Sequence, residues 1–192
     1  LSPLRPGEIP GISTGNDGKP YATIVIVALS LLGYLIWEVA VAPFWDPVGL
    51  YWQLLHEPFS YPNGWYQLAV VLPLGLFGWL LERRHGPTVV IGLFLAFGIG
   101  GSAAALALGE SVLVQGAPGA ALAFIAAWSV PDLKRARRGR EYDSDLLGVA
   151  VLALTVGMMP LAVQTASVIA AYAGLIGGAL VGQVLARTER RP

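Results

Sequence analysis

The sequence predicts an all-α, polytopic membrane protein: a bundle of six transmembrane helices with both termini on the cytoplasmic side. Three observations lead there. Of 192 residues, 55% are hydrophobic and only 12% are charged, and the mean hydropathy is +0.64. Soluble domains carry about 25% charged residues, so a chain this short and apolar cannot hide its greasy surface in one soluble core. Secondly, six apolar segments approach the roughly 20 residues that a helix needs to cross about 30 Å of hydrocarbon. Thirdly, the basic residues fall on one side of the six-span count. Arg5 and Lys19 precede the first span, Arg83 and Arg84 follow the second, Lys134 to Arg140 follow the fourth, and Arg187, Arg190 and Arg191 follow the sixth. These are all twelve Lys and Arg of the chain, and the positive-inside rule then places both termini in the cytoplasm.

Residues 1–20, "LSPLRPGEIPGISTGNDGKP", are rich in Pro, Gly and polar groups. They lack the basic and apolar regions of a cleavable signal, so they read as a flexible or surface-lying tail. The membrane domain is expected over 21–187, with spans at 22–42, 66–82, 88–108, 116–131, 146–162 and 166–186, and a short basic tail at 188–192. The fourth and fifth spans are short, as helices enclosed by a bundle are. The first outer connection is long and aromatic, with Trp45, Trp52 and Trp65; such rings favour the headgroup zone. The loop after the fourth span, Lys134 to Arg140, carries five basic residues and suits anionic headgroups.

Small residues set the expected packing. Gly174, Gly178 and Gly182 recur every four residues along the last span, Gly98 and Gly101 lie in the third, and Gly116 and Gly119 open the fourth. Without a Cβ, helix backbones approach closely, so these three helices should form a tight inner cluster.

Taken together, the motifs resemble the rhomboid family of intramembrane serine proteases. "WQLLHEPFSYPNGWYQ" resembles the stretch before the family's second helix, with Gln53 at its usual Arg. "GLFGWLLERRHG" is similar to the Gly-x-x-x-Glu-x-x-x-Gly signature, carried by Gly78, Glu82 and Gly86. "GAPGAALAF" is similar to the Gly-x-Ser-Gly motif, and "AAYAGLIGG" to the sixth-helix His-x-x-Gly-x-x-x-Gly motif, via Gly174 and Gly178. The resemblance implies a six-helix rhomboid-like bundle. It also implies that the serine position is held by Pro118, the histidine position by Ala171, and the second-helix oxyanion positions by Tyr66 and Val70.

Those residues argue against proteolysis on chemical grounds. A serine protease needs a hydroxyl, a base within about 3 Å and N–H donors aimed at the oxyanion. Pro118 has neither hydroxyl nor backbone N–H, though it starts a helix well. Ala171 accepts no proton. The chain has no cysteine and only two histidines, His56 and His85, expected at opposite faces of the membrane. No catalytic residue, metal site or cofactor is therefore expected.

Ser102, Ser129 and Ser167 should bond to their own backbone. His56 with Glu57 reads as a solvated pair, Glu38 as an acid near the interface, and Gln115 and Gln164 as able to bond between helices; Glu82, by the resemblance, helps tie down the cytoplasmic end of the second helix, with Arg83 or Arg84 as its expected partner. Net charge is zero, which gives no field for nucleic acid. The expected function is a non-proteolytic module in a prokaryotic plasma membrane that binds transmembrane segments of other integral membrane proteins. A structural subunit of a larger complex is the alternative, and a residual serine hydrolase a further one.

Overall fold

The computed structural model describes residues 19–36, 54–109, 115–139 and 145–188. Glu38, Trp45, Trp52, Gln53, Arg140 and the two tails, apart from Lys19, Pro20 and Thr188, lie outside them. Among the described residues the chain is helical. The helices are α1 (Tyr21–Ile36), α2 (Gly64–His85), α3 (Pro87–Ala107), α4 (Pro118–Arg137), α5 (Leu146–Ala162) and α6 (Val168–Thr188). Three of them, α2, α3 and α6, are long and apolar enough to cross a membrane; α1 and α5 are shorter apolar helices.

Local chemistry sets the helix ends. Asn63 caps α2 by accepting from the Tyr66 N–H at 2.8 Å. Gly86 closes it at φ +85°, in the left-handed region, donating its N–H to the Glu82 carbonyl at 2.8 Å. Pro87 then starts α3 at once, where its missing N–H costs nothing. Inside α3 the ladder widens to a π-turn over Leu95–Ile99. Asp145 caps α5 through Leu147 and Gly148, each at 3.1 Å. Ser167 caps α6, its hydroxyl accepting from the Ala170 N–H at 2.9 Å.

The chain packs around α4. Every residue from Pro118 to Ala127 is buried, which accounts for the lack of an amphipathic pattern there. The helix also runs further than expected, through Pro131 to Arg137. Lys134 and Arg135 therefore finish a helix rather than lie in a loop, and Arg135 pairs with the buried Asp132 at 2.8 Å.

α1 lies along α2. Gly78 of α2 faces Thr23, Gly75 faces Val27, and the Gln67 amide donates to the Ser30 carbonyl at 3.0 Å. At the other end of this contact Glu82 reaches the start of α1. Its carboxylate accepts from Ala22 N–H at 2.9 Å, Thr23 N–H at 2.7 Å and the Thr23 hydroxyl at 2.7 Å. The first N–H groups of any helix lack intrahelical partners and carry positive partial charge, so a buried carboxylate satisfies both. The expected pairing of Glu82 with Arg83 or Arg84 gives way to this one. Instead, Arg83 lies over the Trp79 ring and Arg84 over Trp128, at 5.5 and 5.2 Å from the ring centroids.

Candidate functional site

The site that the sequence singled out lies where α4 begins against α6. Down this seam, residues four apart on one helix meet residues four apart on the other. A Cβ on Gly174 would overlap the carbonyl of Gly119, and one on Gly178 would overlap the backbone of Ala123. One on Gly182 would come within 2.6 Å of the Ala127 carbonyl oxygen. Backbone therefore rests on backbone over two helical turns. α3 closes the third side: a Cβ on Gly101 would meet the Ala170 Cβ at 3.2 Å, Gly177 lies against the Phe97 ring, and Gly98 faces Ala120 at 3.7 Å.

Pro118 and Ala171 sit at the head of this seam. Pro118 occupies the first turn of α4, and its neighbour Gly119 is pressed on Ala170, whose carbonyl oxygen would lie 2.5 Å from a Cβ there. Ala171 follows Ala170 and is fully buried. Both positions thus lie next to the pair, Gly119 and Ala170, that makes the helix–helix contact. Neither contributes a side-chain donor, an acceptor or a titratable group.

α2 supplies the next wall through Tyr66 and Val70, one turn apart and both buried. The Tyr66 hydroxyl donates to the Gln115 carbonyl at 2.9 Å. Its ring meets Tyr61 edge-on with centroids 5.7 Å apart. Both rings press on Gly116, where a Cβ would lie 2.9 Å from Tyr66 and 3.0 Å from Tyr61, at a φ of +80°. Gly116 is thus a turn residue beneath an aromatic pair, outside the helix seam in which it was expected. Gly86 likewise serves as a helix terminator with open space about it. Trp65 projects from the first turn of α2 and is 82% exposed.

A short turn, Glu57–Phe59, straps this end. The Gly116 N–H donates to the Glu57 carbonyl at 2.9 Å, and Phe59 packs on Gly33 and Phe94. The strap corrects the expectation of a solvated His56–Glu57 pair. Glu57 is only 4% exposed, and among the described residues neither carboxylate oxygen has a hydrogen bond; burial raises its pKa above the ordinary 4.5. His56 is half-buried, which lowers its pKa, and its Nε2 lies 2.7 Å from the Ser60 hydroxyl. The Tyr61 hydroxyl is fully buried beside Ser30 and the Ala117 backbone without reaching hydrogen-bond geometry, and burial raises its pKa.

The remaining expected polar residues take modest roles. Ser102 bonds back to the Gly98 carbonyl at 3.2 Å. Gln115 links segments through its backbone, donating to the Thr165 carbonyl at 3.0 Å. His85 ends α2, whose 22 residues span about 33 Å, so it is far from His56. Among the described residues no three His, Asp or Glu side chains gather as a metal site. The sequence missed the strap, the Tyr61–Tyr66 pair and the destination of Glu82. Only the tyrosines carried a signal, as polar rings flanking a helix start.

An all-helical protein with apolar spans and a glycine-on-glycine core belongs to the class of integral membrane helix bundles. More narrowly, the rhomboid domain family matches residues 48–188, and the chain belongs to that family. No curated protein matches the chain.

Proposed function

We propose that this chain is a rhomboid-domain protein that has lost proteolysis and holds transmembrane segments of other membrane proteins. The observation that supports the reading is that Gly119, next to Pro118, is pressed on Ala170, next to Ala171, so both replaced positions fall at the head of the α4–α6 seam. On the family's pattern these are the nucleophile and base positions. One now lacks a hydroxyl and an N–H, the other any basic atom. Tyr66 spends its hydroxyl on the Gln115 carbonyl, and Val70 has none to offer. What remains is a packed scaffold whose exposed surface is apolar, with Leu68, Leu72, Leu154 and Leu161 facing outward.

In this reading all six helices span the membrane, both termini are cytoplasmic, and the basic end of α4 meets anionic headgroups of a prokaryotic plasma membrane. The test is reconstitution of the purified chain in liposomes with a labelled transmembrane helix. Saturable energy transfer to the helix, with the helix left intact, is the expected result; cleavage of the helix overturns the reading.

A second reading rests on Ser60, whose hydroxyl lies 2.7 Å from His56 Nε2, the contact of a nucleophile with its base. Against it, Ser60 has no exposure, and the nearby Gly116 N–H is committed to the Glu57 carbonyl. A fluorophosphonate probe decides: no labelling is expected, and labelling abolished by Ser60→Ala would establish a hydrolase.

A further inference from the structure

The contact between α1 and α2 does not close along its length. A groove of about 670 Å³ opens between Val27 and Leu31 of α1 and Leu68, Val71 and Leu72 of α2. Its α2 side is a single helical stripe that begins and ends on glycine, Gly64 and Gly75. Among the described residues nothing lies within 4 Å of a Cβ at Gly64, and only Val27 approaches one at Gly75, at 3.4 Å. Glycine backbone therefore lines both ends of a stripe about three turns long. Within this apolar lining sits one amide, Gln67, more than nine-tenths buried. Its N–H is committed to the Ser30 carbonyl. Gln67 lines the groove, and its oxygen accepts no hydrogen bond among the described residues.

We infer that this groove seats a second transmembrane helix, one that carries a hydroxyl or amide donor at the level of Gln67. The inference rests on the client-binding reading above and adds where a client sits and what it must carry. Two requirements select the occupant. Glycine backbone in the lining favours a helix, which gains close packing that lipid cannot match. The open Gln67 oxygen favours a donor, because a carbonyl covered by hydrocarbon loses its hydration without compensation. An acyl chain meets neither requirement. The groove on the other flank of α1 makes the contrast. It is about 580 Å³, runs between Val25, Leu29, Ile91 and Leu95, and holds no amide; it fits an acyl chain.

The chain has no cysteine, so one introduced thiol is unique. Full-length chain carrying Leu72→Cys is reconstituted with a synthetic leucine–alanine helix bearing a single cysteine. The helix carries either serine or alanine one turn from the end that lies beside Gln67. An inter-helix hydrogen bond in a membrane averages about 0.6 kcal/mol, roughly three-fold. The serine helix should therefore form the disulfide about three-fold more readily at Leu72→Cys, with no preference at Leu95→Cys. Gln67→Met should erase the preference at Leu72→Cys. Equal trapping of both helices at Leu72→Cys overturns the inference and leaves the client-binding reading standing. So does trapping confined to another face, such as Leu154→Cys. Trapping at no position overturns both.

Discussion

Glycine does opposite work on the two sides of this molecule. Between α4 and α6 it removes the space between helices: Gly174, Gly178 and Gly182 set backbone directly on Gly119, Ala123 and Ala127. Between α1 and α2 it leaves space: Gly64 and Gly75 line a groove, and that contact is held by polar ties at Glu82 and Gln67. The first contact is close backbone packing throughout; the second combines one tight approach, Gly78 on Thr23, with a few hydrogen bonds. A close-packed core and a grooved flank are thus built with the same residue type, and what differs is what faces it.

The largest effect should come from Gly178→Ala. Its methyl would overlap the Ala123 backbone, which cannot turn aside as a side chain can. Overpacking commonly costs about 1–3 kcal/mol and occasionally more; this site belongs at the upper end, read as a loss of thermal stability in mild detergent. Glu82→Ala strips three hydrogen bonds from the start of α1, two of them buried. It should cost about 2–3 kcal/mol, with amide exchange rising first at the N-terminus of α1. An intact α1 in that variant would mean that the flank, too, is held by shape.

Gly75→Ala should move the other way. Its methyl meets only Val27 at ordinary contact distance, and alanine is favoured over glycine in a helix by about 1 kcal/mol. A gain of up to that size, against the loss at Gly178, would sharpen the contrast; equal losses would break it.

The smallest effect is a pH slope. Glu57 binds its proton more tightly folded than unfolded, because burial raises its pKa above 4.5. As pH rises from there through the raised pKa, the unfolded chain releases the proton first, and stability falls. The half-buried His56 acts in the opposite sense, losing stability as pH falls below its ordinary 6.5. Glu57→Gln should therefore remove the downward slope with rising pH and leave the loss at low pH. Thermal melts across that range test it, and an unchanged upper slope would show that the strap does not sense Glu57.

Those parts of the structure that depend on chain length or local spacing were legible. Helix positions follow from hydropathy because an apolar helix keeps its apolar residues together over a set length. The α6 seam follows from glycine at every fourth position. Partners distant in sequence were not legible. Glu82 has two arginines beside it, so local charge pointed there; the unsatisfied N–H groups of α1, some 60 residues away, won instead. Glu57 followed a histidine in a polar-looking loop, and nothing local announced that the strap would be folded inward. The α4 seam also used Ala123 and Ala127, which composition does not distinguish from ordinary helix residues.

The Glu82 tie also orders events during synthesis. Residues 22 and 23 leave the ribosome some 60 residues ahead of the carboxylate that satisfies them, roughly 3–12 s at ordinary elongation rates. Until then the leading end of α1 must keep its N–H groups in contact with water or lipid headgroups. Its start is tied down only when the far end of α2 arrives, so an earlier-made helix is held in place by a later-made one.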